Sequence, residues 1–259
     1  MAQARFVRLK PLILLVLLLV ASALSSAEKI TLVADDWCPY NCEPESESPG
    51  YVIELLEEIF KRHDITIEYQ YLSWSDSLEG VLAGKYNGAI GATPTELPKG
   101  IFPSEEIGLS GDVFVVRNDR DWYYQGVESL SRITLGATQD YDYGDAINNY
   151  FSTASSDKFR LLNSNIASEL NLSKLFRGSI DAYIGDRNVI FYKANMLGLS
   201  KEFKVVGQAW QPEPVYIVLS PKIKRSYEYA HMLSQGMHDL RKSGRLKTIM
   251  NKYGLKDWK

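Results

Sequence analysis

The sequence predicts an α/β protein built of two similar lobes that face a cleft. The first sign is an internal echo. Ile30-Thr31-Leu32-Val33-Ala34 returns as Ile133-Thr134-Leu135-Gly136-Ala137, and Leu82-Ala83-Gly84-Lys85-Tyr86-Asn87-Gly88-Ala89-Ile90-Gly91 returns as Phe176-Arg177-Gly178-Ser179-Ile180-Asp181-Ala182-Tyr183-Ile184-Gly185. The second is order: each half reads strand, loop, helix, and later helix, glycine turn, strand. The third is the alternation of strand and helix patterns, which gives mostly parallel sheets covered by helices. Short α/β segments also resemble one another by chance, but here their order agrees too. Two lobes in one chain leave a cleft, and clefts between lobes are where small ligands bind.

The first 27 residues stand apart from both lobes. Arg5, Arg8 and Lys10 form a basic start, Leu12 to Val20 is unbroken apolar, and Ser25-Ser26-Ala27 offers small residues for cleavage. This is the pattern of a secretory signal peptide cut near Ala27. The apolar run is short for a membrane span, though an uncleaved anchor is the competing reading. Removing this segment takes three positive charges and no negative ones, so the net charge moves from −3 to −6. Lys and Arg are dispersed with no basic stripe, which argues against nucleic acid as a partner.

Along the rest of the chain, Ile30 to Asp36 reads as a buried strand. Gly50 opens a helix with Val52, Leu55, Leu56, Ile59 and Phe60 on one face. Ile65, Ile67, Tyr69 and Tyr71 alternate as in a strand. Ser73 or Ser75 caps the helix that Gly84 ends, and Gly88 to Ala92 is a short strand. Thr93 to Gly111 is rich in Pro and Gly and reads as loop. Asp112 to Arg117, with Val113, Phe114, Val115 and Val116, is a strand leading out of the first lobe, and Asn118-Asp119-Arg120-Asp121 is the first crossover.

The second lobe continues with the strand Ile133 to Ala137, a helix from Asp145, and the strand Phe159 to Leu162. A helix through Leu170, Leu172 and Leu175 follows, then the strand Ile180 to Gly185, a helix carrying Phe191 and Met196, and the strand Phe203 to Val206. Gln211-Pro212-Glu213-Pro214 is the second crossover. The strand Val215 to Leu219 and two helices (about 225–242 and 246–253) close the chain. Lobe 1 is therefore expected over 28–117 and 214–259, lobe 2 over 118–213, with two strand crossovers as the hinge. Such hinges absorb the angle changes of domain closure.

Ligands of open α/β sheets sit beyond the carboxyl ends of the strands, which selects four loops. The first holds Asp35, Asp36, Trp37 and Tyr40, whose rings could stack on a ligand or hold a cation; Trp37 could equally pack under its loop. The second offers Thr93 and Thr95. The third holds Gln139, Tyr141, Asp142 and Tyr143 ahead of a helix, where N–H groups could take a carboxylate or phosphate. The fourth is Asp186, which could bind a ligand ammonium or cap the helix after it. Trp74, at the start of a helix, is a further aromatic candidate.

Cys38 and Cys42 fit a disulfide in an exported protein. A loop that small stabilises modestly, so the bond's main effect is to shape the loop. The competing idea is zinc, but His63, His231 and His238 lie far off in sequence. No Gly-rich phosphate loop, G-x-S-x-G elbow or H-E-x-x-H is present, so no cofactor, metal or catalysis is expected. Asn171-Leu172-Ser173 fits a glycosylation acceptor, a pattern short enough to arise by accident.

The chain resembles the bacterial periplasmic solute-binding proteins of the polar amino-acid uptake class, family 3. The resemblance rests on the Ile30–Tyr40 opening, Gly50-Tyr51-Val52-Ile53-Glu54-Leu55-Leu56, Trp74 with Leu82 to Asn87, Phe176 to Asp186, and Ser243-Gly244-Arg245-Leu246 through Tyr253. It implies the type II periplasmic binding protein fold, two lobes closing on a small polar solute. It also implies a monomer in the periplasm that delivers its solute to an ABC-type permease in the inner membrane.

In the family an Arg shortly after the strand matching Gly88–Ala92 clamps a ligand carboxylate through its bidentate fork. This chain reads Thr95-Glu96-Leu97-Pro98-Lys99 there. Lys99 could replace the Arg only as a point charge. Asp186 sits where the family places its ammonium-binding carboxylate. The expected ligand is thus amino-acid- or amine-like. The competing functions are a sensor reporting to a receptor partner and a dehydratase-like enzyme, both by fold-level analogy.

Overall fold

The computed structural model describes residues 28–259, so the leader assigned to residues 1–27 lies outside the described residues. The strands are β1 (Glu28–Ala34), β2 (Ile65–Tyr71), β3 (Gly88–Ala92), β4 (Gly108–Ser110), β5 (Asp112–Arg117), β6 (Leu135–Thr138), β7 (Phe159–Leu162), β8 (Ala182–Asp186), β9 (Phe203–Gln208) and β10 (Glu213–Leu219). The helices are α1 (Tyr51–Lys61), α2 (Trp74–Ala83), α3 (Asp145–Thr153), α4 (Ala167–Phe176), α5 (Arg187–Met196), α6 (Ser226–Lys242) and α7 (Arg245–Lys252), with a 3-10 helix over Val127–Arg132. Among the described residues no helix is long and apolar enough to cross a membrane.

The strands form two five-stranded sheets, ordered β2-β1-β3-β10-β4 and β7-β6-β8-β5-β9. In each, three parallel strands are followed by two antiparallel additions. The echoed segments occupy matching places: β1 and β6 lie second in their sheets, β3 and β8 third. The internal repeat is therefore architectural.

One assignment changes. The strand over residues 112–117 was expected in lobe 1; it lies in the second sheet, between β8 and β9. Val113 through Val116 are all buried, and a strand covered on both faces needs a neighbour on each edge, which only the second lobe supplies. The first crossover is thus at Gly111, not at Asn118 to Asp121, which forms a turn closed by the Arg120 N–H donating to Arg117 O. The stretch 93–111 is also not all loop, because β4 pairs antiparallel with β10 at Glu213 to Val215. That pairing starts β10 inside the expected second crossover.

Side chains alternate across the strands, as a period of two requires. Ile30, Leu32 and Ala34 face α1, α6 and α7, while Val33 faces the other side with Val81, Ala89, Leu97 and Val218. Likewise Phe114 and Val116 pack with Leu130 and Ile147, and Val113 and Val115 with Leu172, Leu175 and Ile190. Ser73 is the N-cap of α2; its hydroxyl accepts from the Asp76 N–H at 3.2 Å. Asn171, in the glycosylation-like triplet, is fully buried and donates to Ala137 O, out of reach of a modifying enzyme in the folded chain.

The two crossovers touch. A Cβ added at Gly111 would lie 2.8 Å from Pro212 Cγ and 3.1 Å from Pro212 Cα. Glycine at 111 is what lets the two connections run side by side.

Candidate functional site

A cavity of about 530 Å³ opens between the two sheets. The first sheet contributes the loop after β1 and the end of β3. Cys38 and Cys42 are bonded to each other and brace the loop that carries Trp37. The Trp37 ring stacks on Tyr40, centroids 3.8 Å apart and planes 14° from parallel. Gly91 lies beneath the ring with φ +103°, and a Cβ there would come within 3.1 Å of it. A bare backbone at 91 is therefore what gives Trp37 its place in the wall. Trp74, at the start of α2, donates its indole N–H to Glu96 at 2.6 Å.

The second lobe contributes the loop between β6 and α3. The Tyr143 hydroxyl accepts from the Thr138 N–H at 2.8 Å, which fixes the turn. Asp142 accepts from the Gly144 N–H at 2.8 Å and from Asn148 Nδ2 at 2.7 Å. Tyr141 crosses the cleft and donates its hydroxyl to Asp35 on the first lobe. Tyr124, stacked on Phe114 at 4.1 Å, and Trp210 complete the aromatic walls.

The charge of the lining is one-sided. Asp35, Glu96, Asp112, Asp142, Asp145 and Glu213 line the cavity, and no Lys, Arg or His does among the described residues. Asp112 opens β5 beside the hinge with 7% of its surface exposed. Burial pushes its carboxyl well above the usual carboxylate range, and the charges of Asp186, Asp142 and Glu213 push it further. Burial also raises Asp35, to about 6, against the lowering hydrogen bond from Tyr141. Glu96 is raised by burial despite its bond from Trp74.

The structure brings Trp37, Trp74, Thr93, Tyr141 and Tyr143 together at the cavity. Thr95, Gln139 and Lys99 are exposed and outside its lining. Tyr40 is buried behind Trp37, donating to Leu109 O at 2.6 Å.

Asp186, the expected ammonium ligand, is not in the lining; it is a cap and a strut. One carboxylate oxygen accepts from the Asn188 and Val189 N–H groups at 2.8 and 3.0 Å. The other accepts from Ser110 Oγ at 3.0 Å, the Gly111 N–H at 3.3 Å and Tyr40 Oη at 3.4 Å. A carboxylate with both oxygens engaged by its own protein has little left for a ligand.

Sequence reasoning missed Asp112, Glu96, Tyr124, Trp210 and Glu213 as lining residues. The visible signal was Trp210-Gln211-Pro212-Glu213, an aromatic and an acid set beside a crossover. Asp112 offered only its place next to Gly111, and Tyr124 offered no signal.

The sequence matches the model of the bacterial extracellular solute-binding proteins, family 3, over residues 30–256. The chain belongs to that family. Several solved structures share the family 3 fold with it. One comes from the description of glutathione import in Gram-positive bacteria via GshT and the cystine ABC importer TcyBC of Streptococcus mutans. It is 19% identical, with a TM-score of 0.73, over 88% of this chain and 95% of that one. A histidine kinase sensor domain with similarity to periplasmic binding proteins is 17% identical, TM-score 0.70, over 87% and 95%. An ancestral amino acid-binding protein, a precursor of cyclohexadienyl dehydratase, is 16% identical, TM-score 0.69, over 87% and 95%. No curated protein matches the sequence. The matches to solved structures speak for the fold; the family model places the chain among solute-binding proteins.

Proposed function

We propose that this protein works in the periplasm, where it captures a small polar solute, amino-acid- or amine-like, between its lobes and delivers it to an ABC-type permease. The observation that supports this most directly is the cavity itself. It holds about 530 Å³ between two sheets joined by two crossovers, within the size range of small-molecule sites. Aromatic faces from both lobes suit a ligand gripped on two sides. The lining carboxylates are not arranged with a nucleophile, so the lining reads as a receptor. Export and cleavage near Ala27 supply the compartment.

The test is thermal unfolding of the purified exported chain against amino acids, amines, organic acids and short peptides. A ligand at about 100 times its dissociation constant stabilises by roughly 2.7 kcal/mol, a shift of several degrees for a chain of this size. The ligand should be recovered unchanged. Consumption of it would favour a dehydratase-like enzyme.

The likeness to a histidine kinase sensor domain supports a second reading, in which the same closure reports to a receptor. Deleting this protein separates the two: transport predicts lost uptake, sensing predicts lost signalling with uptake intact.

A further inference from the structure

The lining of the cavity fits one class of solute better than the family's usual one. An amino acid brings a carboxylate that needs a cationic or N–H partner, and no Lys, Arg or His lines this cavity among the described residues. The helix terminus that could have served is flanked by acids. Asp142 accepts the Gly144 N–H at the entry to α3, and Asp145 sits in its first turn. A ligand carboxylate there would meet two carboxylates of the protein.

Asp112 presents the opposite need. It is 7% exposed, lines the cavity, and its carboxyl has no hydrogen-bond partner among the described residues. Burial favours the neutral form of this carboxyl, and a ligand cation beside it would supply the partner its charged form lacks. Its backbone is fixed, since Asp112 O accepts from the Ala209 N–H at 2.9 Å. The aromatic faces of Tyr124, Tyr143 and Trp210 line the same space and suit a desolvated cation.

Resting on the reading of this cavity as a solute site, we propose that its solute is an organic cation without a carboxylate, an amine or guanidine whose N–H donors are received by Asp112. Donors matter because an unpartnered carboxylate gains most from a charge-assisted hydrogen bond. Glu213 beside Asp112, and Asp35 with Glu96 on the other lobe, extend the negative field along the cavity, so a second positive group on the same ligand is accommodated.

The test uses pairs that differ only by the carboxylate: agmatine against arginine, cadaverine against lysine, putrescine against ornithine. Binding to the exported chain is followed by calorimetry and by tryptophan fluorescence, since three tryptophans line the cavity. At least one amine should bind tenfold or more tightly than its amino acid, and choline, which has no N–H, should bind more weakly than that amine. Asp112→Asn should weaken the amine by a hundredfold or more while the unliganded variant melts no lower than the wild type, because the isosteric amide removes a desolvated carboxyl.

Equal or tighter binding of the amino acids overturns the proposal. So does Asp112→Asn binding the amine as well as the wild type. If a neutral or anionic solute binds and no amine does, this inference falls while solute capture stands. If no solute of any charge binds, solute capture falls with it.

Discussion

Lys193 of the second lobe reaches across the cleft to Asp36 of the first. Its ammonium also bonds Glu169 Oε1 at 2.6 Å, and its side chain is 6% exposed. Burial pulls its pKa down, but Asp36 and Glu169 more than reverse this, and the net direction is up. The ammonium is therefore a charged tie between the lobes, alongside the Tyr141–Asp35 and Tyr40–Asp186 hydrogen bonds.

Cutting that tie is the first prediction. Breaking a buried ion pair from one side costs about 3 kcal/mol because the partner carboxylates stay largely out of water. Lys193→Ala should lower Tm by about 6–12 °C for a chain of this size. It should also widen the cleft, read as a larger radius of gyration in solution scattering. An unchanged radius would mean the lobes are held by other contacts.

The second prediction concerns pH. The folded pKa of Asp35, about 6, lies above its ordinary 3.8, so the folded chain holds this proton more tightly than the unfolded one. The resulting stability is fully present below pH 3.8 and is lost as pH rises through about 6, at a cost of order 2–3 kcal/mol. Denaturant midpoints between pH 4 and 7 should show that decline in the unliganded protein, and Asp35→Asn should make it shallower, the remainder coming from the raised Glu96 and Asp112.

The third prediction tests the wall behind Trp37. Gly91→Ala places a Cβ 3.1 Å from the indole at a positive φ, so ring and backbone must both shift. We expect a loss of about 1–3 kcal/mol, a change in tryptophan emission, and weaker solute binding. Full affinity in this variant would remove Trp37 from the binding wall.

Removing the disulfide is the fourth. Closing so small a loop limits the unfolded chain by only about 2 kcal/mol, so the double variant Cys38→Ser, Cys42→Ser should still fold. Its Tm should fall by about 4–8 °C. Affinity should fall by more than the lost stability suggests, since Trp37 lies next to the braced loop.

Most of the architecture was legible because buried strands and amphipathic helices leave periodic traces. The core face of α1 was read directly from spacing, and the cap of α2 was narrowed to Ser73 or Ser75, of which the fold uses Ser73. The run Val113–Val116 was visible as a strand, yet an apolar run says nothing about which sheet will cover it, so its lobe was misread.

The site was less legible for the same kind of reason. Asp186 had two physical uses, cap or ligand, and sequence cannot choose between them; five donors in the fold decide for the cap and strut. Asp112 looked like the polar edge of a buried strand. Its isolation is a property of what surrounds it in space, and no local pattern records that.

The carboxylate of Asp186 joins Tyr40 of the first lobe, Ser110 and Gly111 of the crossover, and the first turn of α5 in the second lobe. A point held by both halves and by their connection works as an axle. Asp112 is one residue from that connection, so it keeps its position at whatever angle the lobes stand, while residues farther from the axle sweep through wider arcs. On the proposed function, a solute would be seized at the stationary end first, and the moving walls would then fold over a guest already in place.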